Sequence, residues 1–319
     1  MPHLLVAGQL HPAGMALLES AREVTYDYVE KVSEESYAPF IDKADALVIR
    51  TQPLSAATVA KAGRLQIVSR HGVGYDAVDV AALNARGISL CVVGDVNSIS
   101  VAEHAMMLIL AATKRVIRAD RSIREANWGW RNKLEAGDVA HKRLLILGYG
   151  RAGRRLARLA DAFEMEIRAF DPFLLKGTWP QGPATPVKTL EEGLAWADVI
   201  SVNMPKVGPP LLGEAEFAVV KPGVVIVNTA RGGIVDEAAL ASALTDGRVA
   251  AAGLDVFDNE PPARDHPLLA FDQVVLTPHI AGLTLQAAER MAVASVQNVL
   301  DFFAGHLDPD LIVNKGFAK

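Results

Sequence analysis

Three polar residues stand just beyond apolar runs late in the chain: Arg231 after Val224-Val-Ile-Val-Asn228, Glu260 after Gly253-Leu-Asp-Val-Phe257, and His279 after Val274-Val-Leu-Thr277. A guanidinium grips a carboxylate through two parallel hydrogen bonds, and an imidazole gives or takes a proton near neutrality. A carboxylate beside that imidazole favours its charged form and fixes its orientation. Together they suit a reaction that holds a small carboxylic acid while a proton moves at a neighbouring carbonyl or hydroxyl. Each residue also has an ordinary explanation: an Arg before Gly-Gly is often a turn residue, a Glu before Pro-Pro is usually solvated, and a His after Pro can simply cap a loop. Their shared address favours chemistry, because ligands of parallel α/β sheets bind beyond the carboxyl ends of the strands.

Two stretches carry the glycine spacing that lets a backbone approach a pyrophosphate: Gly72-Val73-Gly74-Tyr-Asp-Ala77 and Gly148-Tyr-Gly150-Arg151-Ala152-Gly153. Both follow an apolar run and precede a helical pattern, so spacing does not choose between them. Charge does. A helix N-terminus holding an anion is opposed by nearby carboxylates and helped by cations. The first stretch contains Asp76 and is followed by Asp79, whereas the second contains Arg151 and is followed by Arg154 and Arg155. The dinucleotide is therefore expected at Gly148–Gly153. Asp171, closing the run Glu166–Phe170, is placed to accept from ribose hydroxyls, although Asp95 has a similar spacing after the first loop; a carboxylate at Asp171 opposes a 2'-phosphate, so NAD is expected as the cofactor. Strand-end residues Met204, Pro205, Thr229, Ala230, Asp255 and Gly282 are expected to line the same crevice.

These residues need a scaffold, and the sequence describes one. Short apolar runs (LLVAG, ALVIR, LQIVS, ISLCVV, RLLILG, EIRAFD, DVISVN, VVIVNTA, AAGLDVF, QVVLTP) alternate with helical patterns. Continuous rather than alternating apolarity predicts parallel strands covered on both faces, hence an α/β fold. The segment Ser98-Ile-Ser100-Val-Ala-Glu103, in which Ser100 and Glu103 have capping-box spacing, marks a helix start ahead of an apolar stretch reaching about Val116, and that helix is expected to be buried on most sides. At 319 residues, 50% of them apolar and 22% charged, the chain suits a globular protein with room for two domains. A net charge of -5 argues against nucleic acid as a partner. No apolar run is long enough for a membrane span, no basic n-region opens the sequence, and the lone Cys91 suits a reducing compartment. A cytoplasmic protein acting on a small molecule is expected, with no metal centre.

From Val48 to Gly282 the chain resembles the D-isomer-specific 2-hydroxyacid dehydrogenases. The resemblance rests on Gly72-Val-Gly-Tyr-Asp76, Val101-Ala-Glu-His104, the Gly148–Gly153 loop, Asn228-Thr-Ala-Arg-Gly-Gly-Ile-Val-Asp236, Gly253–Pro261 and Thr277-Pro-His-Ile-Ala-Gly282. It implies a Rossmann dinucleotide-binding domain (98–283) inserted in a smaller flavodoxin-like substrate-binding domain (1–97 and 284–319), and a homodimer. It also implies that Arg231 binds the carboxylate of a 2-oxo acid, that His279 is the proton donor and acceptor, and that Glu260 tunes it. The loop around Val73 and Gly74 would turn backbone N–H groups toward the substrate carboxylate, and Arg50 and Arg70 with His71 would meet a second anionic group unless they pair with local Asp residues. Hydroxypyruvate, glyoxylate and 3-phosphoglycerate are the implied substrates. The family also contains NAD(H)-binding corepressors, an alternative role with little turnover. The segment Asn203-Met-Pro-Lys206 departs from the family's usual His/Thr-rich pattern.

Overall fold

The structure, a computed structural model, describes residues 1–317. Its backbone divides into two compact units, one formed by Met1–Asn97 with the segment from Thr284 onward, the other by Ser98–Leu283. In the first unit, strands β1 (His3–Ala7), β2 (Thr25–Val29), β3 (Ala46–Ile49), β4 (Ile67–Arg70) and β5 (Ser89–Cys91) form a parallel sheet in the order β2-β1-β3-β4-β5. Successive side chains of a strand point to opposite faces, so each strand feeds two cores. Leu5, Ala7, Leu47, Ile49, Val68 and Leu90 pack on one side. Leu4, Val6, Val48, Ile67 and Cys91 pack on the other, against Ala292, Val296 and Val299 of the helix Leu285–Ala304. Each fully buried aliphatic side chain contributes about 1.5–3 kcal/mol, which is why continuous apolarity marks these strands. The resulting order is the flavodoxin-like one.

The second unit holds β6 (Arg143–Leu147), β7 (Glu166–Phe170), β8 (Thr185–Pro186), β9 (Val199–Val202), β10 (Val224–Asn228), β11 (Val249–Leu254) and β12 (Val274–Leu276). They form one parallel sheet in the order β12-β11-β10-β9-β6-β7-β8. The order reverses at β6, which lies between β7 and β9. In a doubly wound sheet such a reversal opens a crevice at the carboxyl ends of the two strands, here Leu147 and Val202. The helix Arg151–Ala162 covers the sheet beside the helix Ser98–Thr113.

The helix Ser98–Thr113 begins at the first residue of the expected start segment, so Ser100 lies inside it, buried, and does not cap it. Its apolar residues Ala102, Ala105, Leu108, Ile109 and Ala112 are buried, while Met107 is 40% exposed and leaves one side open. It lies close on β11: a Cβ at Gly253 would stand 2.8 Å from the Leu108 Cβ. That close approach sets the depth at which the helix presents its other side chains to the strand end. No helix among the described residues is long and apolar enough to cross a membrane, and no group of His, Cys, Asp and Glu among them could hold a metal ion.

Candidate active site

The loop after β6 is shaped by what its glycines exclude. Gly148 has φ +93°, and a Cβ there would lie 2.7 Å from the Met204 Cβ and 2.9 Å from the Asn203 carbonyl, so only glycine lets the ends of β6 and β9 meet. A Cβ on Gly153 would collide with the Gly148 carbonyl oxygen. Gly150 differs: nothing lies within 4 Å of where its Cβ would be. It caps the twelve-residue helix Arg151–Ala162 without any side-chain hydrogen bond. An uncapped helix N-terminus with open space before it is the cradle a pyrophosphate needs. Asp171 stands beside it, accepting from the N–H groups of Tyr149 (2.9 Å), Phe173 (3.0 Å) and Leu174 (3.1 Å). A carboxylate has about four lone-pair sites, so capacity for a ribose hydroxyl remains. Of the arginines, Arg151 is exposed at the first helical position, while Arg154 Nε reaches the Gly150 carbonyl and Arg155 Nε donates to the Ser98 hydroxyl, 2.7 Å away.

The other glycine loop is built differently. After β4 the chain runs on to Asp79 before the short helix Val80–Ala85 begins, and the Asp79 carboxylate already caps that helix by accepting from Ala82 N–H at 2.8 Å. The terminus that a phosphate would use is occupied by a carboxylate. Val73 is 39% exposed in this loop and Gly74 half-buried.

Adjacent strands β10, β11 and β12 end in register at Asn228, Leu254 and Leu276. Arg231 follows β10 on a turn fixed by Asn228, whose side chain donates to the Arg231 carbonyl (2.8 Å) and accepts from Ala230 N–H (3.0 Å). The turn can pack against the next strand end because residue 232 is glycine; a Cβ there would collide with the Phe257 carbonyl. Glu260 and His279 meet directly, with Oε2 2.6 Å from Nδ1. The second Glu260 oxygen accepts from Phe257 N–H at 3.1 Å, so both carboxylate oxygens are committed. Nδ1 therefore carries the proton shared with the carboxylate, and Nε2 is the atom left for a reacting group. A hollow of about 390 Å³ opens beside the pair, walled by Phe257, Pro261, Pro262, Leu269 and Leu276. His279 has φ +52°, a left-handed conformation that a non-glycine residue holds only when its surroundings impose it.

Asp255, expected among the cofactor contacts, is fully buried, and its contacts are with the protein: the Thr277 hydroxyl and the N–H groups of Ile280 and Ala281. Met204 borders the Gly148 loop, Thr229 and Ala230 lie in the Arg231 turn, and Gly282 follows the turn held by Asp255. His104 and Thr277 had no expected role in the site, although the Val101–His104 and Thr277–Gly282 motifs contain them.

In the first unit, the Arg50 Nη1 donates to the Gln9 carbonyl (2.6 Å), not to an Asp, and the Arg70 Nη1 donates to the His71 carbonyl (2.7 Å). His71 is buried. Burial, with the charges of Arg50 and Arg70 adding to it, pushes its imidazole down to about 3, so it stays neutral. Its Nε2 and both amide atoms of the buried Gln52 have no hydrogen-bond partner among the described residues.

A family model described as "D-isomer specific 2-hydroxyacid dehydrogenase, NAD binding domain" matches residues 106–281. The D-3-phosphoglycerate dehydrogenase of Mycobacterium bovis is 39% identical over 315 residues, covering 98% of this chain and 59% of that protein. The chain thus spans about three fifths of the length of that relative. The glyoxylate reductase of Aeropyrum pernix is 34% identical over 321 residues, covering 98% of this chain and 96% of its own. Among solved structures, the TT0316 protein of Thermus thermophilus superposes with a TM-score of 0.87 at 31% identity, over 98% of this chain and all of that one. With the strand orders, the glycine loop and the His279–Glu260 pair all in place, the chain belongs to the D-isomer-specific 2-hydroxyacid dehydrogenase family.

Proposed function

We propose that the protein is an NAD-dependent dehydrogenase interconverting a D-2-hydroxy acid and its 2-oxo acid. The observation that carries this reading is the 2.6 Å contact between His279 Nδ1 and Glu260 Oε2, which leaves Nε2 as the only ring atom able to exchange a proton with a ligand. When bound, the nicotinamide supplies or accepts the hydride. In reduction, protonated His279 gives its Nε2 proton to the carbonyl oxygen as the carbonyl carbon becomes a CH–OH carbon, and Glu260 holds the ring in the matching orientation. Arg231 holds the substrate carboxylate, a planar two-point contact that a lysine cannot reproduce. The cofactor residues are Gly148, Gly150, Arg151, Ala152, Gly153 and Asp171, whose open cradle and carboxylate favour NAD. Turnover on a panel of 2-oxo acids with NADH tests the reading. Consumption of NADH with glyoxylate or hydroxypyruvate is expected, abolished by His279→Ala; absence of turnover with every member would instead favour a binding role.

We assign Arg50, Val73 and Gly74 to substrate recognition. Arg50 is half-buried, pairs with a carbonyl and not a carboxylate, and lies with Arg70 beside His71 and close to a Gln52 amide that has no partner among the described residues. That polarity suits a substrate with a second anionic group, such as a phosphate. A higher kcat/KM for 3-phosphohydroxypyruvate than for hydroxypyruvate is the expected result. Exposed apolar side chains on the helix Val116–Arg124 and just after it, including Ile123 (58%), Trp128 (67%) and Leu134 (86%), support a homodimer that covers them, to be checked by sedimentation.

A further inference from the structure

Beneath the turn that carries His279 lies a polar chain that the proposed reaction does not use directly. Asp255, the residue after β11, holds three consecutive N–H groups of that turn. Its carbonyl accepts from His279 (2.8 Å), Oδ1 from Ile280 (2.9 Å) and Oδ2 from Ala281 (2.8 Å). The Thr277 hydroxyl, 2.5 Å from Oδ1, gives its single proton to this carboxylate. Its oxygen is then only an acceptor, and His104 Nε2 lies 2.9 Å from it and 3.5 Å from Asp255 Oδ1.

Facing an acceptor and a carboxylate, Nε2 must carry a proton. Burial lowers the His104 pKa more than the nearby Asp255 charge raises it, so the ring is neutral with Nδ1 bare. This tautomer has a directional effect. With Nε2 bare, the Thr277 proton could turn toward His104, and an oxygen lone pair would face the buried carboxylate at contact distance. The Nε2–H form excludes that arrangement. Gly253 makes the contact possible. It lets the helix Ser98–Thr113 approach β11 at Leu108, and His104 sits one helical turn earlier on the same face.

We propose that His104 and Thr277 are positioning residues which, through Asp255, lock the left-handed His279 turn and so set the aim of its imidazole. The proposal rests on the dehydrogenase reading for its effect on turnover, but not for its effect on the turn itself. It is tested with Thr277→Val, Thr277→Ser and His104→Phe, reading amide hydrogen exchange of the 277–283 segment together with kcat and KM for the best 2-oxo acid. Removing one hydrogen bond to a charged group is expected to speed exchange at Ile280 and Ala281 roughly tenfold. In Thr277→Val and His104→Phe, kcat is expected to fall by about the same factor with KM within about a factor of two, and Thr277→Ser is expected to restore both. Exchange as slow in Thr277→Val as in the wild type, or a Thr277→Ser variant as impaired as Thr277→Val, overturns the proposal. If Thr277→Val does not fold, His104→Phe carries the same comparison. A wild-type protein with no turnover refutes the dehydrogenase reading, while the exchange rates still decide the relay.

Discussion

Glu260→Gln is a sharp perturbation because the glutamate serves two donors at once, His279 Nδ1–H at 2.6 Å and Phe257 N–H at 3.1 Å. Glutamine keeps the shape but has one acceptor, so whichever way its amide turns, an NH₂ faces one of the donors. Turned toward Phe257, it loses that bond and keeps an uncharged contact to His279. Turned toward His279, it requires a bare Nδ1 and hence the other tautomer, which moves the proton to the wrong nitrogen for accepting one from the hydroxy acid. Bonds to charged groups contribute about 1.5–3 kcal/mol. The side chains are 49% and 37% exposed, so solvent screening places the loss toward the lower end. That corresponds to roughly a tenfold to thirtyfold fall in kcat/KM. Initial rates of NADH consumption, with NADH affinity from fluorescence titration, provide the measurement. Expected is a fall of that size in kcat/KM with NADH affinity nearly unchanged. Turnover within twofold of the wild type would refute the coupling of Glu260 to His279.

Gly150→Ala separates folding from cofactor binding: since nothing lies within 4 Å of the new Cβ, its melting temperature should match the wild type while NADH affinity falls about tenfold or more. Equal affinity would remove the pyrophosphate from this position. Gly153→Ala should instead fail to fold or melt markedly lower, because its Cβ meets the Gly148 carbonyl. His71 predicts a pH dependence. Its folded pKa is depressed to about 3 by burial and then by Arg50 and Arg70, whereas in the unfolded chain it protonates below about 6.5. Between those values the unfolded state binds the extra proton, so this group removes about 1.4 kcal/mol of stability for each unit the pH falls. Urea unfolding at pH 7 and pH 5 should show a shallower loss in His71→Gln, and an unchanged slope would contradict the buried neutral ring.

The sequence made most of this legible because parallel strands buried on both faces are runs of aliphatic residues. Each of the ten aliphatic runs quoted above forms a strand, from β1 to β12. The two remaining strands lack this signal. β2, Thr25-Tyr-Asp-Tyr-Val29, lies at a sheet edge with no fully buried residue, and β8 is two exposed residues long. The start segment Ser98–Glu103 was legible, but its Ser100–Glu103 spacing forms no cap because the chain enters the helix at Ser98 and buries Ser100. At the site, strand-end polarity pointed to Arg231, Glu260 and His279. The Asp255–Thr277–His104 chain was invisible as a unit, since its members come from a strand end, a loop and a distant helix, and only a close helix–strand approach brings them together.

Cys91 gives the first unit a built-in reporter. It is the chain's one cysteine. Its thiol is sealed in β5, and burial pushes it up to about 11, so at neutral pH it is both shielded and almost wholly protonated. The helix Leu285–Ala304, contributed from the far end of the chain, packs in the same core as that sulfur. A thiol reagent can therefore label the native protein only as fast as this core comes apart, and the labelling rate becomes a clock for the undocking of the late segment from the early one.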